Sequence, residues 1–133
     1  MNNKFLIGTS ITFLVSSASA QAMDDCSKKT SDPDVFICAQ SNRTVAEKEL
    51  NREYSKAKKR IDDVFSSSSE ERKDYLSVLL EAQRGWLKYR DNQCKLYAHV
   101  ADKNSNPYAT FTNNCIAKMD EQRSTELKGI PYD

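Results

Sequence analysis

The sequence predicts an all-α fold, a small antiparallel three-helix bundle clasped by two disulfides. Three observations carry that expectation. Apolar residues recur at steps of three and four through most of the chain after residue 22. Asx-Pro pairs and a serine run divide this pattern into three long segments. Four cysteines, Cys26, Cys38, Cys94 and Cys115, all lie in the same part of the chain, and an even count in an exported protein reads as a disulfide framework.

Residues 1–22 read as a secretory signal peptide, to be removed before any reasoning about the fold. Lys4 provides the positive start, Phe5 to Val15 the apolar stretch, and Ala18-Ser19-Ala20 a small-residue cleavage box; Ala20-Gln21-Ala22 is a second option that starts the chain at Met23. The apolar run is shorter than the ~20 residues a membrane span needs. Cys26 falls too late after the box to carry a lipid, so residues 23–133 are expected to form a single domain in the periplasm or outside the cell. Losing Lys4 leaves equal numbers of acidic and basic residues, interleaved along every segment. Such a chain lacks the basic face of a nucleic-acid binder.

The first helix starts at Asp32-Pro33, read as an N-cap followed by a proline whose missing N–H costs nothing in the first turn. Val35, Cys38, Ala46, Leu50, Tyr54, Ala57 and Ile61 continue it to about Phe65. Ser66 to Ser69 break the pattern, and Ser67 or Ser68 with Glu70 or Glu71 forms a capping box for the second helix. Leu76, Leu79, Gln83, Trp86, Arg90, Cys94 and Tyr97 share one face of that helix, which runs to about Ala101. Asn106-Pro107 repeats the cap-and-proline start, and Tyr108, Phe111, Cys115, Ile116, Met119, Arg123 and Leu127 mark the inner face of the third helix, which Gly129 and Pro131 end.

Antiparallel neighbours bring residues equidistant from their connection to the same height. Cys94 lies ten residues before the midpoint of Asp102–Asn106 and Cys115 eleven after it, which suits the ~7 Å Cα limit of a disulfide. Cys94 therefore pairs with Cys115, leaving Cys26 for Cys38. The same rule about the serine turn puts Leu50 opposite Gly85, Tyr54 opposite Glu81 and Ala57 opposite Val78, so that Gly85 would make room for Leu50.

Little in the chain suggests catalysis. His99 is the only histidine, so no zinc set or nucleophilic triad can be assembled. Asp62-Asp63 and Glu70-Glu71 are adjacent pairs at helix ends, where carboxylates compensate helix dipoles. No glycine-rich phosphate loop is present. The protein is expected to be no enzyme and to need no cofactor or metal. Asn51, Gln83 and Arg90 are polar residues on or beside apolar seams, where a hydrogen-bond network joining helices is favoured over a ligand site.

These residues resemble the LprI-type lysozyme-inhibitor family of exported bacterial proteins, specifically its N-terminal domain. The resemblance rests on Cys26, Ile37-Cys38, Leu50-Asn51, Tyr54, Ala82-Gln83, Trp86-Leu87, Arg90-Asp91, Cys94, Cys115 and Arg123, in that order. Glu47 stands where the family more often has aspartate. The resemblance implies a protein partner, lysozyme or another peptidoglycan hydrolase, whose cleft the chain would occlude. The alternative of a different class is an envelope adaptor or an immunity-type binding protein. Lysozymes are commonly basic, so a neutral inhibitor must present a local acidic or apolar surface. Asp62, Asp63, Glu70, Glu71 and Asp74 at the serine turn are favoured over the Asp102–Asn106 connection with Tyr108.

Overall fold

A computed structural model describes residues 22–132, and the expected leader lies outside the described residues except for Ala22. A short 3-10 turn, Cys26–Lys28, precedes three helices: α1 (Asp32–Val64), α2 (Ser69–Ala98) and α3 (Asn106–Lys128). No strand occurs among the described residues, so the three-helix expectation holds.

Each helix is started by a serine. Ser31, Ser68 and Ser105 sit in extended backbone, and their hydroxyls accept the N–H groups of Asp34, Glu71 and Tyr108. At Ser68 the cap is one the sequence indicates, but only half of the capping box forms: the Ser68 N–H donates to the Phe65 carbonyl at 3.1 Å instead of to the Glu71 carboxylate. At the other two starts the cap lies one residue earlier than expected, because Asp32 and Asn106 have already entered the first turn with Pro33 and Pro107. The second helix ends at Ala98, short of the expected Ala101.

The first and third helices run parallel: Arg43 reaches Asn113, and Arg60 donates to the carbonyls of Leu127 and Ile130 at 2.6 and 2.7 Å. The second helix runs antiparallel to both and packs more on α3 than on α1. Small side chains explain the intimate α1–α3 contact, with Ala39, Ala46 and Ala57 buried on one helix and Thr110, Ala117 and Ser124 on the other. Half-buried Tyr54, Leu76, Trp86 and Leu87 pack on a core of Leu50, Ala57, Ile61, Leu79, Leu127 and Ile130.

That arrangement overturns the expected role of Gly85. The residue is exposed, and a Cβ built on it would meet nothing within 4 Å. The first helix packs mainly on α3 and little on α2, so Leu50 needs no gap in α2.

Both disulfides form as the spacing indicates. Cys26–Cys38 and Cys94–Cys115 have Cα separations of 5.7 and 5.5 Å. The first ties the N-terminal segment to α1, where Asn42 also exchanges two hydrogen bonds with the backbone of Asp24, at 2.7 and 2.8 Å. The second locks the α2–α3 hairpin near its connection.

Candidate functional site

A polar brace crosses the middle of the bundle. Arg90, on the buried face of α2, donates to Asp120 Oδ1 of α3 at 2.9 Å and twice to Asp91 Oδ1, at 2.9 and 2.7 Å. Glu47 of α1 lies 3.9 Å from Arg90 and accepts from Arg43 at 3.1 Å, and Arg43 in turn reaches Asn113 at 3.2 Å. One step along, Arg123 donates to Gln83 at 3.1 Å and pairs with Glu126 at 2.7 Å. Trp86 lies between the two arginines, each guanidinium 5.7 Å from its ring centroid.

Burial dominates the electrostatics of this brace. It pushes the Asp120 carboxyl above its usual range, and the hydrogen bond from Arg90 opposes the rise only in part. Burial also disfavours the Arg90 charge, but hydrogen bonds to Asp120 and Asp91 outweigh it and raise its pKa. Asp120 Oδ2 is buried with no hydrogen-bond partner. The brace presents its charges to one another rather than to a ligand and joins all three helices, the structural role expected for Gln83 and Arg90.

Asn51 is a correction. It is exposed, and Glu53 takes the buried polar position on α1 instead, with Lys56 at 3.0 Å and Arg52 at 3.6 Å. Of the remaining motif residues, Leu50 is buried and Tyr54 half-buried. Sequence reasoning missed Asp120, Arg43 and Asn113. The signal for Asp120 was its position four residues after Ile116 and seven before Leu127, on the inner stripe of α3.

The serine turn gathers the expected acids at one end of the bundle. Asp62, Asp63, Glu70, Glu71 and Asp74 are all exposed. Arg72 lies 3.9 Å from Asp62, and Lys59 lies 3.1 Å from Asp63; Glu70, Glu71 and Asp74 have no ion-pair partner among the described residues. Phe65 packs on Tyr75 at 5.4 Å between ring centroids, and the Tyr75 hydroxyl accepts the N–H of Tyr132, tying the turn to the C-terminal tail. Beside the turn opens a shallow depression of about 480 Å³ bordered by Arg60, Asp63, Val64, Lys128 and Tyr132. Val64 and Tyr132 are exposed there, so Asp63 adjoins apolar surface. At the opposite end Tyr108 is half-buried and offers less to a partner.

Among the described residues no cluster of histidine, cysteine and carboxylate is arranged to hold a metal ion. All four cysteines are in disulfides and His99 is exposed. No helix among the described residues is long and apolar enough to cross a membrane.

Comparison with known proteins gives a consistent set of relatives. Residues 22–127 match the family described as lysozyme inhibitor LprI. An uncharacterized protein of Rhizobium meliloti (strain 1021) is 32% identical over 117 residues, covering 83% of this chain and 81% of that protein. The uncharacterized protein YecT of Escherichia coli (strain K12) is 28% identical over 126 residues, or 88% of this chain and 78% of that one. The crystal structure of a DUF1311 family protein from Pseudomonas putida KT2440 superposes with a TM-score of 0.69 at 30% identity, covering 77% of this chain and 96% of that one.

Proposed function

The chain belongs to the lysozyme inhibitor LprI family, and on that premise we propose that it is an exported, non-catalytic protein that binds a peptidoglycan hydrolase such as lysozyme and occludes its substrate cleft. The family match over residues 22–127 is the observation that carries this reading. Two disulfides in a small domain support an oxidising compartment outside the cytoplasm.

The contact we propose is the end of the bundle at the serine turn. Glu70, Glu71 and Asp74 project from the first turns of α2 without ion-pair partners among the described residues, and at the same end Asp63 borders a depression with exposed Val64 and Tyr132. Acids flanking an apolar patch suit the rim of a basic enzyme's cleft, where charge steers encounter and apolar contact supplies affinity. Asp62 and Asp63 would contribute less, since Arg72 and Lys59 already lie beside them.

The test is a bacterial lysis assay with lysozyme and the purified, oxidised chain at low and moderate salt. Inhibition at micromolar protein that weakens with salt and with Glu70→Lys/Glu71→Lys supports both activity and contact. Inhibition untouched by the reversal keeps the activity and moves the contact elsewhere. Absence of inhibition removes lysozyme as the partner and favours the adaptor or immunity-type alternative.

A further inference from the structure

The outward face of α2 carries an uncharged strip that nothing among the described residues covers. Val78, Ala82, Gly85 and Tyr89 follow one another at steps of three and four, the spacing of a helix-packing seam; Leu96 continues the line to the end of α2, Val100 lies in the turn just beyond it, and all are exposed. Val78, Tyr89, Leu96 and Val100 are 61, 59, 70 and 85% exposed. In a bundle of this size such a run of apolar side chains on the surface marks an interaction face. Gly85 lies within it, a residue that weakens the helix and that no neighbour in its own chain requires. A glycine on an open face permits close approach of another backbone.

Charges beside the strip indicate what covers it. Asp74, Glu81, Lys88 and Lys95 recur at intervals of seven along one edge, two acids followed by two bases. Their centre of antisymmetry falls between Arg84 and Gly85, at the small residues of the strip. We propose that this face is the contact between two copies of the chain, packed antiparallel through α2 about a two-fold axis near Gly85.

In that register Glu81 meets the partner's Lys88, Asp74 meets the partner's Lys95, and Tyr89 lies over the partner's Val78 and Ala82. A two-fold contact uses the same patch on both copies, so a strip flanked by antisymmetric charges complements itself. Parallel packing would instead carry this edge to the far side of the partner's seam, so that these charges would not meet one another. Glu81 already pairs with Arg84 at 2.9 Å, but both side chains are exposed, and such an intrahelical pair yields readily to a second cation.

Sedimentation equilibrium of the purified chain with both disulfides formed tests the proposal without any enzyme, so its outcome is independent of lysozyme inhibition. A monomer–dimer equilibrium is expected below about 200 µM, and Tyr89→Glu, which would set an acid against the partner's Val78, Ala82 and Glu81, should weaken it at least about ten-fold. Its melting temperature at dilute concentration should not change, since Tyr89 is exposed. Glu81→Lys and Lys88→Glu should each weaken dimerisation several-fold, and the two together should restore it, because the swap recreates complementarity across the axis. A chain that stays monomeric throughout, a dimer indifferent to Tyr89→Glu, or a double swap no better than either single variant would overturn the proposal.

Discussion

Arg90 and Asp120 meet at 2.9 Å between α2 and α3, the guanidinium almost wholly buried and the carboxylate with no exposed surface. Arg90 also touches Asp91 and approaches Glu47, so it binds three helices at one point. Removing one member of a buried pair leaves the other uncompensated, which typically costs about 3–5 kcal/mol. Arg90→Ala and Asp120→Ala should each fall in that range by urea denaturation. Replacing both together with apolar residues of similar size should cost less than either single change; a double variant as unstable as the sum of the singles would show that the pair is not the coupled unit described.

The same pair makes a pH prediction. The Asp120 carboxyl is raised above its ordinary 3.8, chiefly by burial. A carboxyl raised on folding favours the folded state when protonated, so its contribution is fully present below the unfolded value and is lost as pH rises through the folded one. The stability of the wild type relative to Asp120→Asn should therefore decline as pH increases above about 4, as read from denaturation at a series of pH values. A difference that grew with pH would contradict the burial described for Asp120.

Trp86 is half-buried rather than enclosed, with Arg90 and Arg123 on its ring. Trp86→Ala should destabilise by about 2–3 kcal/mol, below the ~3–5 kcal/mol of a fully buried ring. In the wild type, tryptophan fluorescence should follow unfolding as a single transition.

The disulfides should differ in effect. Cys94–Cys115 spans 21 residues and joins two core helices, whereas Cys26–Cys38 spans 12 and secures the N-terminal segment. Paired Cys94→Ser/Cys115→Ser is expected to lower stability by about 3 kcal/mol and to do so more than Cys26→Ser/Cys38→Ser. Thermal melts of the two double variants decide the order.

Gly85→Ala should stabilise the monomer by about 1 kcal/mol, since alanine is the better helix former and its methyl group meets nothing. The measurement belongs at concentrations too low for association. Destabilisation there would mean that Gly85 is packed within its own chain after all.

Much of this molecule is local, and the local part is legible in the sequence. Helix lengths follow from apolar periodicity, helix starts to within one residue from the Asx-Pro pairs and the serine run, and the bridging of Cys94 to Cys115 from nearly equal distances to one connection, because all three depend on residues near one another along the chain. Gln83 and Arg90 were marked by being polar on an apolar face, but their partners Arg123 and Asp120 lie forty and thirty residues away, and no periodicity announces which charges will meet. The expectations for Asn51 and Gly85 fail for the same reason: they assume α1 facing α2 closely, whereas α1 packs mainly on α3. Only tertiary packing, which weighs the volume of every side chain at once, decided that α3 rather than α2 lies closest against α1, that Glu53 and Asp120 are buried while Asn51 is not, and that the outer face of α2 is left free.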